Sequence, residues 1–153
     1  MESKKQTAND NDQFTTAEKA NGKQQTTMTK PQPKIGTRVF DLEERTARFG
    51  EAVLAFAKAL PADAVMRPLI SQLVRSGTSV GANYSEADEA SSRKDFRYRI
   101  ALCKREVKET KHWLRMISGA APDAKAQARE LWREARELQL ILASIHRKSA
   151  RES

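Results

Sequence analysis

From Leu42 onward, large apolar residues recur at alternating steps of four and three. Leu42, Thr46, Phe49, Val53, Phe56 and Leu60 form the first run, and that spacing draws one stripe along a helix. Asp41 stands where an N-cap acceptor belongs and Pro61 closes the segment, predicting a helix over about 41–60. A third run, Phe96, Ile100, Cys103, Val107, Thr110, Leu114 and Ile117, predicts a helix over about 92–118, with Ser91 or Ser92 as cap and Gly119 as stop. The fourth opens near Pro122 and carries Ala124, Ala128, Leu131, Ala135, Leu138, Leu142 and Ile145, predicting 122–147. No strand-like alternation of comparable length occurs. The pattern predicts an all-α chain whose short connections make an antiparallel up-down four-helix bundle over 35–148.

The second run contains the stretch RSGTSVGANY, Arg75 to Tyr84, whose glycines suit a loop better than a helix. Yet Leu69, Leu73, Ser76, Val80, Asn83, Ala87 and Ala90 keep the four–three rhythm through it, beside a second stripe of Ile70, Val74, Gly77, Gly81 and Tyr84. A phosphate-binding loop needs a preceding strand and a lysine, and neither is present. The reading is one helix over about 62–90. Gly77 and Gly81 share a face where another backbone can approach closely, which offsets their cost of ~1 kcal/mol each in helix propensity. A kinked or broken helix is the alternative.

Residues 1–34 have almost no large apolar side chains, so the pattern predicts a disordered basic and polar tail closed by Pro31 and Pro33. Met28 is an alternative start to Met1. Of the 153 residues, 31% are charged and 39% hydrophobic, a balance suited to a soluble helical protein. No run approaches the ~18 apolar residues of a membrane span, and the N-terminus has no apolar segment of a secretory signal. The single cysteine, Cys103, excludes an internal disulfide and fits the cytoplasm. The net charge of +8 favours polyanionic partners.

The segments PLISQLVRSGTSVGANYSEADEA (Pro68 to Ala90) and SSRKDFRYRIALCKREVKETKHWLRMI (Ser91 to Ile117), with Leu60–Pro61 before them, closely resemble the small proteins of the 23S rRNA intervening-sequence family. The resemblance runs from about Phe40 to Ile145. It implies a four-helix bundle assembled into a ring-shaped homopentamer, with a reverse transcriptase or ribosomal RNA as the partner. The reverse transcriptase belongs to a related branch, the accessory proteins of diversity-generating retroelements. The resemblance carries over no catalytic residue.

The third segment supports a nucleic-acid partner on its own. Between Ser91 and Ile117 nine Lys and Arg face three acidic residues, a net of +6 out of the chain's +8. Lys94, Arg97, Lys104, Lys108, Lys111 and Arg115 fall at helical steps and form one basic ridge, interrupted by Ala101. At 1.5 Å per residue it runs for roughly 30 Å, long enough to follow several phosphates. With Arg105, these residues are the candidate nucleic-acid contacts. The absence of interleaved exposed aromatics points to backbone contact with RNA or an RNA–DNA hybrid, without sequence specificity. An ordinary solvated face, or a protein-interaction adaptor docking an acidic partner through the same ridge, is the alternative.

Other chemistry is weak. Cys103 lies on the buried stripe while His112 points nearly the opposite way, so they form no nucleophile–base pair. Glu109 and His112 have di-iron spacing without the second pair such a centre needs. Glu86, Asp88 and Glu89 cluster where the second segment meets the third and are expected to pair with Arg93 or Lys94 or to cap the next helix, with a small cation site as the alternative. No catalytic residue, metal site or cofactor is predicted. Tyr84, Trp113 and Trp132 flank their core stripes as candidates for a subunit interface.

Overall fold

The computed structural model describes residues 41–151, so the predicted tail over 1–34 and the choice between Met1 and Met28 lie outside the described residues. Four helices, α1 (Leu42–Ala59), α2 (Met66–Asp88), α3 (Arg93–Ala120) and α4 (Lys125–Arg151), form an all-α bundle; a short 3-10 turn at Pro122–Ala124 leads into α4. Among the described residues there is no strand.

Local chemistry places the ends. Asp41 Oδ1 accepts from Glu44 N at 3.1 Å and caps α1, whose first turn holds Glu43 and Glu44 against the positive end of the helix. Leu60 is extended, as a residue before proline must be. The second helix starts at Met66 rather than near 62. Asp63 Oδ1 accepts from the backbone of Val65 and Met66, both at 2.9 Å. With its own carbonyl accepting from Arg67 N at 3.0 Å, Asp63 acts as the N-terminal cap that sets where this helix begins. Pro68 then sits in the first turn of α2, where its missing N–H costs nothing. Ser92, rather than Ser91, caps α3 by accepting from Asp95 N at 3.1 Å. Gly119 does not stop α3. The helix runs to Ala120 and ends at Ala121, ahead of Pro122. The fourth helix starts at Lys125 and continues past 147 to Arg151.

The core is the union of the four stripes. Val53, Leu73, Val80, Ile100, Cys103, Val107, Leu138 and Leu142 are fully enclosed. The polar residues among them are satisfied within the bundle. Thr46 Oγ1 donates to Glu43 O at 2.9 Å. Ser76 and Thr110, both fully buried, meet at 3.0 Å between α2 and α3. Burying a hydroxyl without a partner costs ~1–3 kcal/mol, so these contacts allow the polar positions to sit on an apolar stripe. Contacts pair residues in opposite order along neighbouring helices: Ser76 with Thr110 and Val80 with Cys103 across α2 and α3.

At Gly77 an added Cβ would stand 2.8 Å from Val53 Cγ1 of α1, closer than carbon atoms tolerate. At Gly81 it would lie 3.4 Å from Thr46 O, an ordinary contact with the α1 backbone. Gly50 of α1 sits opposite, 3.6 Å from Thr78 Cα by the same construction.

Candidate nucleic-acid interface

Helix α3 lies between α2 and α4, and its charges divide between those two sides. Asp95, Arg99, Glu106, Glu109 and Trp113 fall at four- and three-residue steps on the α2 side. There Arg75 of α2 pairs with Glu106 at 3.3 Å and with Glu109, and Glu86 of α2 pairs with Arg99. Glu106 is only 4% exposed, an enclosed carboxylate that the sequence pattern did not reveal. The hydrogen bond from Arg75 holds the Glu109 carboxyl below the usual carboxylate range. Glu86 therefore meets Arg99 of the next helix.

On the α4 side stand the cations. Lys94, Lys108 and Arg115 are exposed, while Arg97, Lys104 and Lys111 are half-buried. Lys111 Nζ donates to Gln139 Oε1 at 3.0 Å and lies 4.4 Å from the centroid of the Trp132 ring. Among the described residues no carboxylate pairs with Lys94, Lys104, Lys108, Lys111 or Arg115. Arg105 is not brought to this seam. It is exposed and sits 3.4 Å from the Glu106 carboxylate.

The fourth helix supplies residues that the reading of the third alone missed. Lys125, Arg129, Trp132, Arg136, Gln139, Ala143 and His146 keep the four–three rhythm one residue on from the core stripe of α4, and that spacing was the available signal. Trp132 and Gln139 meet Lys111, which fixes this stripe as the face toward α3. Lys125 and Arg129 line one cavity with Arg115. Lys125, Arg129 and Arg136 are exposed. The carboxylates of α4 lie elsewhere: Glu134 holds Arg45 of α1 at 2.7 Å and Glu130 holds Arg133 at 2.8 Å. His146 lies on the same stripe, its pKa pushed down by burial and then by the charges of Lys104 and Arg97.

The result is a two-helix basic strip. Cations of α3 and α4 border one seam, and Asp95, Glu106 and Glu109 of α3 and Glu130 and Glu134 of α4 are engaged elsewhere. An ordinary solvated face mixes signs. This strip also holds aromatic surface, contrary to the expectation of none. Tyr98 is 58% exposed beside the ridge, and Trp132 is half-buried in the seam.

Other candidate positions are structural in their contacts. Tyr84 is half-buried against the core, and burial raises its pKa. Trp113 Nε1 donates to Glu109 at 3.3 Å, with the His112 ring edge-on at 4.8 Å. Cys103 donates to Val80 O at 3.6 Å, and burial pushes its pKa up to about 12, which favours the protonated thiol. Among the described residues no three His, Cys, Asp or Glu side chains gather as a metal site, and no helix is long and apolar enough to cross a membrane.

Residues 40–144 match the model of the 23S rRNA-intervening sequence protein family. Similar solved structures include one from Bacteroides thetaiotaomicron, a protein with unknown function from the S23 ribosomal protein family. It is 28% identical over 69% of this chain and 97% of its own, with a TM-score of 0.64. No curated protein matches the chain.

Proposed function

Because this chain belongs to the 23S rRNA-intervening sequence protein family, we propose that it is a non-enzymatic accessory protein that holds RNA, or an RNA–DNA hybrid, along the α3–α4 seam. The observation that carries this reading is the segregation of charge: a basic strip along the seam, with Glu106, Glu109, Glu130 and Glu134 paired on the outer flanks. A strip of cations with few polar base-reading groups binds phosphates, so recognition is independent of sequence. The opposite order of contacts across α2 and α3, and across α1 and α2, supports an antiparallel up-down bundle. The bundle assembles as a homopentamer in the cytoplasm, which repeats the strip around a ring and adds multivalency to each weak contact. Its working partner is a ribosomal RNA or a reverse transcriptase with its template.

Filter binding with three unrelated RNAs of equal length tests this. Their affinities should agree within roughly threefold at low salt, because phosphates are common to all. A chain that retains none of them, yet captures an acidic polypeptide, is an adaptor instead.

A further inference from the structure

Toward the C-terminal end of α3 the seam opens into a cavity of about 300 Å³, at the small end of the range for ligand sites. Leu114 and Ala128, each 1% exposed, line it together with Trp132. Arg115, Lys125 and Arg129 stand around it, and none of its lining residues carries a carboxylate. Ser118 also lines it, but its hydroxyl is engaged with Leu114 O at 2.8 Å. The walls are therefore apolar and aromatic, and the polar contribution is threefold positive charge.

Two further details bear on what the cavity can take. Lys125 follows the 3-10 turn Pro122–Ala124, whose Asp123 stands at the start of this helix and does not line the cavity. Lys111 sits over the Trp132 ring and does not line the cavity, so the cavity meets a part of the indole that this ammonium leaves open.

We infer that the cavity receives the unpaired base of a nucleotide, stacked against Trp132 between Leu114 and Ala128, with its phosphate held by Arg115, Lys125 and Arg129. The inference rests on the reading of the seam as a nucleic-acid surface and adds to it a preference for single strands. A duplex keeps its bases in the stack and offers the strip only phosphates. Stacking on an aromatic side chain tolerates any base, so the preference carries no sequence code. A free nucleoside phosphate has the same chemistry as the unpaired nucleotide of a strand.

The chain has two tryptophans, so Trp113→Phe leaves Trp132 as the reporter. This full-length variant is titrated with a single-stranded RNA of about 12 nucleotides, with the same RNA annealed to its complement, and with AMP. The single strand should quench Trp132 and bind roughly tenfold more tightly than the duplex. Trp132→Leu should abolish that preference while duplex binding persists, and Trp132→Phe should keep it, with both variants melting cooperatively. Equal binding of both forms without quenching would overturn the base cavity and leave the strip standing. Binding of neither form would remove both. Quenching by AMP that no oligonucleotide matches would overturn the strand as the source of the base.

Discussion

The Lys111 ammonium lies 4.4 Å from the centroid of the Trp132 ring and donates to Gln139 at 3.0 Å, tying the third helix to the fourth within the basic seam. A cation over an indole at a partly exposed site contributes ~0.5–1 kcal/mol. Lys111→Met keeps the aliphatic stem and removes the charge. Its unfolding free energy in urea should fall by that amount, lowering the midpoint, with a shift in Trp132 emission in the Trp113→Phe background. An unchanged midpoint and spectrum would mean that the contact does not form in solution.

The Gly77–Val53 contact sets the spacing of α1 and α2. Replacing a helical glycine gains ~1 kcal/mol of propensity, whereas forcing atoms into a filled core costs ~1–3 kcal/mol. With Val53 Cγ1 at 2.8 Å from the added carbon, Gly77→Leu should be destabilised by about 2 kcal/mol or more in thermal or urea melts. The pair should also couple: Val53→Ala costs less in a Gly77→Ala background than in the native chain, by about 1 kcal/mol. Additive losses would show that the helices adjust their spacing freely.

Arg75 guards an enclosed carboxylate. Without it, Glu106 keeps only Arg105 at 3.4 Å, so Arg75→Ala should lose about 2 kcal/mol at neutral pH. The Arg75–Glu109 pair makes part of that loss depend on pH. The Glu109 carboxyl titrates below its usual range because of the hydrogen bond from Arg75. Its contribution is therefore complete above the ordinary value of ~4.3 and disappears as pH falls through the lower folded value. The difference between native and Arg75→Ala proteins should shrink in acid, as measured by melts between neutral and acidic pH.

Polyanion binding should take up a proton at His146. Burial, followed by Lys104 and Arg97, disfavours its protonated form. In the free protein this places stability above the ordinary histidine value of ~6.5, and stability declines as pH falls below it. Phosphates lying on Lys104 and Arg97 cancel part of that repulsion and raise the pKa. RNA affinity should therefore rise as pH is lowered through that range, and His146→Gln should flatten the rise. A pH profile identical in the two proteins would separate His146 from the bound strand.

Periodicity carried the four helices and most of the core, because a stripe at four–three steps is a statement about burial that does not depend on neighbours. The caps at Asp41 and Ser92 were legible for the same local reason. Boundaries that depend on competition were not. Asp63 caps the start of α2 by accepting from Val65 and Met66, and Gly119, with open space around it, ends nothing. On the surface, the cations of α3 could be grouped from spacing, but the direction they face could not. That required knowing that α4 packs on one side and α2 on the other, which tertiary contacts alone decide. The second row on α4 had the right spacing in the sequence, and only its meeting with Lys111 across the seam makes it part of the same surface.

The salt dependence of RNA binding tests most directly whether the two rows act together. Each phosphate neutralised on a single strand adds about −0.7 to the slope of log Kobs against log salt, so a strip engaging six to eight phosphates gives a slope of roughly −4 to −6. Lys104→Glu with Lys108→Glu on α3, and separately Arg129→Glu with Arg136→Glu on α4, should each flatten that slope by about 1 or more, with melting unchanged. A slope that the α4 reversals leave untouched would contradict a surface shared by the two helices.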